Sequence, residues 1–177
     1  MRTLQLSSGF APAEHPLPGG GRPVNGEIRT PIRCAADIVA ARQCGRTSAI
    51  AMGFGGAEVT LLAAAISEVA RNIVDHATEG EMVMWEVSDR GRRGLRIVAR
   101  DHGPGIADVA QAMQYGYSSR RGLGVGLPGA KWLMDEFDIV SAVGRGTTVT
   151  MTKWLSEQES ETLGRGAQRS EPASSPL

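Results

Sequence analysis

The clearest pattern of apolar and polar positions predicts a long helix near the middle of the chain. In AEVTLLAAAISEVARNIVDHA, the apolar residues Leu62, Ile66, Val69 and Ile73 recur at intervals of three and four. This spacing places them in one stripe along a helix. An earlier helix is predicted from Cys34 to about Met52, and the glycine-rich stretch after it ends that helix.

Alternation of apolar and polar residues predicts two β-hairpins. EMVMWEVSD and GLRIVARD alternate on either side of Arg90 and Gly91, and DIVSAV and TTVTMTKW flank a turn at 144–146. NGEIRTPIR is expected to form a short strand, and IADVAQAMQYG and LPGAKWLMDEF are expected to form short helices. Early helices and paired strands favour an α+β fold: a two-layer α/β sandwich with helices on one face of a mixed β-sheet.

The two ends of the chain differ in composition from its middle. Residues 1–24 contain several prolines and three consecutive glycines, so we expect a flexible segment there. Residues 156–177 are polar and have few large apolar side chains, so we expect them to be disordered. A single domain at 25–155 remains, and a hydrophobic content of 41% is ordinary for a globular protein.

Charge and cysteine content argue against several classes of protein. The formal net charge is +0, so the sequence lacks the basic excess that is typical of proteins that bind nucleic acid or anionic membranes. Ten helical residues separate Cys34 from Cys44, about 15 Å at the usual rise per residue, too far for a disulfide. The longest apolar run, LLAAAI, is too short to cross a bilayer, and no signal peptide is visible. A reduced, soluble, cytoplasmic protein is expected.

The stretch RRGLGVGLPGA, residues 120–130, contains a G-x-G-x-x-G pattern. A dinucleotide-binding fold would need a strand directly before it, and a Walker A loop would need Lys and Ser or Thr after it; neither is present. A protein-kinase flap would need a following strand lysine, which is also lacking. Small residues before a helix start still suit a phosphate, because free N–H groups and the helix dipole point at it. A surface loop that needs glycine only for its turns is the alternative.

Three polar side chains follow one flank of the long helix. Glu68, Asn72 and His76 are four residues apart, beside the apolar stripe. The amide oxygen of Asn72 can ligate Mg²⁺, and the carboxylate of Glu68 can orient or deprotonate a nucleophile. An ordinary solvated flank explains the same residues.

Two glycine-containing segments border predicted strands. In RDHGPGI, Asp101 ends a strand before Gly103 and Gly105, and a carboxylate there can accept a hydrogen bond from the exocyclic amine of adenine. In GRGTT, Thr147 follows a turn between strands and can donate or accept near a base. An Asp-initiated turn and a plain hairpin turn remain the alternatives.

Taken in order, these segments resemble the GHKL ATPase superfamily. The chain shows E-x-x-x-N-x-x-x-H on a helix, D-x-G-x-G after a strand, G-x-G-x-G opening a helix and G-x-G-T between strands. More narrowly, ISEVARNIVDHA, RDHGPGIADVAQAMQYGYSS and GLGVGLPGAKWLMDEFDIVSAVGRGTT are similar to the RsbT-type serine/threonine kinases, which are related to anti-sigma-factor kinases. The likeness covers about residues 24–155 and implies a Bergerat-type ATP-binding fold.

The resemblance implies a role for each matching residue. It makes Asn72 the Mg²⁺ ligand and Asp101 the adenine anchor, and Glu68, one turn before Asn72, is the candidate catalytic carboxylate. Gly103 and Gly105 would shape the base pocket, and Thr147 would lie near adenine. The phosphate loop would consist of Gly122, Leu123, Gly124, Val125 and Gly126.

One position departs from the pattern of many histidine kinases. They carry a lysine three residues after the metal-binding asparagine, where this chain has Asp75. The phosphate charge must therefore be met elsewhere, and Arg120 and Arg121 in the short ATP lid between Gly116 and Gly122 are candidates. Solvent exposure is the alternative for both arginines.

The implied activity is ATP-dependent phosphorylation of a serine or threonine on a STAS-domain partner in a stress-response module. Partner switching then brings in a PP2C-type phosphatase or another downstream regulator. Two alternatives stay open, namely a nucleotide-gated binding module with little kinase activity and an anti-sigma factor that sequesters a sigma subunit. The ATP-binding half of a histidine kinase is disfavoured because no phospho-acceptor helix hairpin precedes the domain and His15 sits among prolines.

Overall fold

A computed structural model of the chain describes residues 26–114 and 126–156. The elements are β1 Ile28–Ile32, α1 Ala35–Met52, α2 Gly56–His76, β2 Gly80–Asp89, β3 Arg92–Asp101, α3 Val109–Ala112, α4 Gly126–Leu133, β4 Glu136–Ala142 and β5 Gly146–Trp154. The two predicted long helices and the two predicted hairpins are all present. The expectations for the two chain ends lie outside the described residues.

The five strands form one sheet in the order β1-β2-β3-β5-β4. A mixed sheet with parallel and antiparallel pairs was expected, but all four strand pairs are antiparallel. The reason lies in the connections. The α1–α2 pair returns the chain to the end at which β1 stopped, so that Ile32 pairs with Gly80. The two hairpins then lie side by side along β3 and β5.

The helices cover one face of the sheet, as predicted. The apolar stripe of α2, which includes Leu62 and Ile66, packs on Met84, Ile97 and Met151 of the sheet to form the main core. The opposite sheet face carries a smaller cluster, made of Val83, Trp85, Val87, Val98 and Trp154. The predicted two-layer α/β sandwich is confirmed, and no helix in the described ranges is long and apolar enough to span a membrane.

Two short helices are shorter than predicted. The helix expected from LPGAKWLMDEF ends at Leu133, and Phe137 instead pairs with Met151 in the sheet. Asp135 marks the break, since its carboxylate accepts hydrogen bonds from Lys153 and from the backbone of Trp154. The helix expected from IADVAQAMQYG is reduced to Val109–Ala112. Asp108 caps it by accepting from the N–H of Gln111 at 2.8 Å.

Candidate functional site

Asp101 lies at the end of β3 with its carboxylate held by two backbone donors. Oδ1 accepts a hydrogen bond from the N–H of Gly103 at 2.9 Å and another from the N–H of Thr147 at 3.2 Å. Oδ2 makes no hydrogen bond with the residues that the structure describes. The carboxylate is therefore fixed in orientation, with one oxygen left to accept from a ligand.

The turn after Asp101 is pressed against its neighbours on both sides. A Cβ on Gly103 would lie 2.6 Å from that of Ala77, and a Cβ on Gly105, where φ is +71°, would overlap the carbonyl of Ala142. The carbonyl of Pro104 accepts from the N–H of Gly144 at 2.8 Å. Only glycine allows this approach, so the D-x-G-x-G segment closely contacts both the end of α2 and the β4–β5 turn.

The G-x-G-T segment reaches Asp101 from the other side. Gly146 is buried with φ +81°, and a Cβ there would overlap the backbone carbonyl of Asp101. Thr147 follows directly, is half-buried, and bonds Asp101 through its N–H. The two segments predicted to surround a purine therefore form one wall.

Ser141 joins that wall, although no motif in the sequence pointed to it. It is the second-last residue of β4, opposite Thr147, and its hydroxyl contacts three groups: the N–H of Ile106, the carbonyl of Gly146 and the hydroxyl of Thr147. A serine in a strand of alternating pattern gives no signal by itself. Only its position between the two segments distinguishes it.

Glu68 and Asn72 lie on α2, and both side chains are half-buried. Neither makes a hydrogen bond or ion pair with any residue in the described ranges. Ile73 packs where α2 passes over the start of β2, since a Cβ on Gly80 would lie 2.8 Å from it. With Ala77 against the glycine turn, the end of α2 that carries Asn72 borders the same wall as Asp101.

Of the predicted phosphate loop, only the last residue, Gly126, is among the residues that the structure describes. Gly126 begins α4 with φ +46°, and Gly129 and Ala130 are buried where α4 packs against α2. The backbone N–H groups at this helix start are therefore held near α2. The remaining loop and lid candidates lie outside the described residues: Arg120, Arg121, Gly122, Leu123, Gly124 and Val125.

The donor set of α2 fits Mg²⁺ rather than a metal held entirely by protein. No group of three or more His, Cys, Asp or Glu side chains that could hold a metal occurs within 26–114 and 126–156. Mg²⁺ usually keeps several waters and takes one or two protein oxygens together with phosphate oxygens. The uncommitted amide oxygen of Asn72 meets that requirement.

A shallow groove of about 440 Å³ runs between α1 and α2. It is lined by Arg42, Gln43, Arg46, Thr60, Ala63, Ala64 and Ser67. Two of these residues, Arg42 and Arg46 of α1, are basic.

Comparison with known proteins gives consistent likenesses. The family described as histidine kinase-like ATPase domain matches residues 32–153. The chain is 50% identical over 119 residues to the serine/threonine-protein kinase RsbT of Bacillus subtilis, covering 67% of this chain and 90% of the relative. It is 30% identical over 103 residues to an anti-sigma F factor of Thermoanaerobacter sp. (strain X514), covering 55% of this chain and 71% of that protein.

A solved structure shares the fold. It contains the RsbU and RsbW domains of a Mycobacterium tuberculosis protein, with a TM-score of 0.52 at 22% identity. The likeness covers 73% of this chain but only 32% of the solved one. At this identity the comparison supports the architecture described above.

Proposed function

Because the chain belongs to the histidine kinase-like ATPase domain family and, within it, to the RsbT-type serine/threonine-protein kinases, we propose that it phosphorylates a STAS-domain protein. The donor is ATP with Mg²⁺, and the setting is a stress-response partner-switching module. One observation carries the proposal. The carboxylate of Asp101 is held by the N–H groups of Gly103 and Thr147, so that Oδ2 is left to accept from a ligand, and Ala77 at the end of α2 packs against Gly103.

Adenine binds against the wall formed by the two glycine segments. Oδ2 of Asp101 accepts a hydrogen bond from the exocyclic amine, while Oδ1 stays engaged with the backbone. Gly103 and Gly105 let the main chain approach the base closely. Thr147 bonds the same carboxylate through its N–H, and its hydroxyl is the second group that we assign to the amine edge of the base.

The phosphates extend from that wall towards α2 and α4. The helix start at Gly126 offers N–H groups and the positive end of the helix dipole. Asn72 would hold Mg²⁺ through its amide oxygen. When bound, the metal would neutralise part of the phosphate charge. The loop from Gly122 to Val125 is assigned the same phosphate role from its sequence.

Glu68 accepts the proton of the protein substrate. The hydroxyl oxygen of a serine or threonine attacks the γ-phosphorus, the bond from that phosphorus to the β–γ bridging oxygen breaks, and ADP leaves. The hydroxyl proton moves to the carboxylate of Glu68, which also orients the attacking oxygen. Phosphoryl transfer needs mainly positioning and charge stabilisation, so one carboxylate suffices.

Asp75 cannot neutralise phosphate as a lysine at that position would. We assign the neutralisation of phosphate charge to Arg120 or Arg121 in the lid. We propose the groove between α1 and α2, with Arg42 and Arg46 on its α1 side, as a contact surface for the protein substrate. A PP2C-type phosphatase or another regulator is the proposed downstream partner of the freed kinase.

A second candidate function is an anti-sigma factor or a nucleotide-gated binding module with little kinase activity. The likeness to anti-sigma F factors favours it. An uncommitted, half-buried carboxylate on α2 favours chemistry instead, because a sensor has no need of a base there.

The decisive experiment is phosphotransfer from labelled ATP. The full chain, Mg²⁺ and the STAS-domain proteins encoded nearby are incubated together, and the phosphorylated site is mapped. We expect label on one serine or threonine of a STAS protein, and none without Mg²⁺. ATP binding without label on any STAS protein would instead support the binding module.

A further inference from the structure

The hydroxyl of Ser141 sits at the junction of the two segments assigned to adenine. It lies 2.8 Å from the N of Ile106, 3.0 Å from the carbonyl oxygen of Gly146 and 2.9 Å from Oγ1 of Thr147. Ile106 follows the D-x-G-x-G segment, whereas Gly146 and Thr147 belong to G-x-G-T. One small side chain thus ties together loops that are far apart in sequence.

If all three contacts are hydrogen bonds made at the same time, only one assignment of donors and acceptors is possible. A serine hydroxyl has one proton to donate and two lone pairs to accept with. The N–H of Ile106 can only donate and the carbonyl of Gly146 can only accept, so Ser141 gives its proton to Gly146. The remaining lone pair must then accept the proton of the Thr147 hydroxyl.

This direction determines what Thr147 presents to a ligand. With its proton held by Ser141, Oγ1 of Thr147 can only accept further hydrogen bonds. Oδ1 of Asp101 is occupied by two backbone donors, one of them the N–H of Thr147 itself, and Oδ2 of Asp101 is also an acceptor. The polar edge of the pocket is therefore made of acceptors. An amine matches that edge, and a carbonyl at the same place meets only oxygen lone pairs.

We propose that Ser141 is a positioning residue that sets purine selectivity by locking the Thr147 hydroxyl as an acceptor. The inference rests on the proposed function, since it takes the Asp101 wall as the adenine site. Adenine carries an amine where guanine carries a carbonyl. Without Ser141, the Thr147 hydroxyl turns freely and donates to the guanine carbonyl, so the preference for ATP over GTP weakens.

The test is the ratio of GTP to ATP dissociation constants, measured by calorimetry on the full chain with Mg²⁺. For Ser141→Ala we expect this ratio to fall by about tenfold, the effect of roughly one hydrogen bond. Ser141→Thr keeps a hydroxyl and should keep the ratio. Ser88→Ala is the matched control, because it removes an exposed hydroxyl at the end of β2 farthest from Asp101.

An unchanged ratio in Ser141→Ala would overturn the proposal, whether both affinities stay at their wild-type values or ATP and GTP binding weaken equally, since equal weakening indicates a merely structural role. Thr147→Val, with Ser141 intact, provides a second route if Ser141→Ala does not fold. It should lower the ratio as well, and a wild-type ratio in that variant counts against the proposal. Failure of the wild type to bind ATP at all would contradict the proposed function instead.

Discussion

The backbone N–H of Thr147 donates a hydrogen bond to Oδ1 of Asp101 at 3.2 Å, although 46 positions separate the two residues. The contact joins the end of β3 to the start of β5. It leaves Oδ2 without a hydrogen bond to the described residues, and it brings together two segments that were each ambiguous alone.

Asp101→Asn should lower ATP affinity by roughly 10- to 100-fold, the range expected for losing a hydrogen bond to a charged group. The amide oxygen can still accept from Gly103 and Thr147, but its NH₂ then opposes the amine of adenine. Calorimetry with ATP measures the effect. Asp138→Asn, at an exposed position of β4, is the control and should bind as the wild type does. Equal ATP affinities in the two variants would show that Asp101 does not contact the nucleotide.

Glu68→Ala should reduce phosphoryl transfer by on the order of 10²- to 10⁴-fold, the usual contribution of a general base, while ATP still binds. Labelled-phosphate transfer and a separate nucleotide titration distinguish the two effects. Glu79→Ala removes an exposed carboxylate and should leave both unchanged. A parallel loss of binding and transfer in Glu68→Ala would contradict a role in chemistry.

Asn72→Ala should abolish the part of ATP affinity that depends on Mg²⁺. The alanine has no oxygen for the metal, whereas Asn72→Asp keeps one and should retain metal dependence. Titrations with Mg²⁺ and with a chelator measure this dependence. If Asn72→Ala responds to metal as the wild type does, the metal lies elsewhere.

Gly146→Ala and Gly144→Ala form a matched pair. Both glycines have positive φ, +81° and +73°, so each alanine adds strain of roughly 1–2 kcal/mol. A Cβ meets nothing within 4 Å at Gly144, but at Gly146 it overlaps the carbonyl of Asp101. We expect the larger loss of unfolding free energy, and loss of ATP binding, only in Gly146→Ala. Similar denaturation curves for the pair would show that this close approach is unimportant.

Asp37 should make stability depend on pH in the acid range. Hydrogen bonds from the backbone N–H of Arg33, and then from Cys34, hold the pKa of Asp37 below its usual value at the start of α1. Because the folded pKa is depressed, its contribution is present above the unfolded pKa, about 3.9, and is lost as pH falls through the folded pKa. The melting-temperature difference between wild type and Asp37→Asn should therefore be largest near neutral pH and vanish in acid. A difference that stays constant with pH would contradict this origin.

Much of the fold follows from local pattern. The stripe of Leu62, Ile66, Val69 and Ile73 is buried as predicted, because a helix of period 3.6 can hide such a stripe only against another layer. The hairpin at Arg90 and Gly91 also follows its alternation. Helix ends were less predictable. The helix predicted from LPGAKWLMDEF included Phe137, but packing against the core and pairing with Met151 place this residue in a strand.

The candidate site divides in the same way. The sequence by itself determined which groups are available, since Asp101, Asn72, Glu68 and the glycines stand in a recognisable order along the chain. Only the tertiary structure decided that Asp101 bonds Thr147, and that Ser141 links both glycine segments. Hydrogen-bond partners across a sheet depend on register and strand order, and neither is encoded in the spacing of one segment.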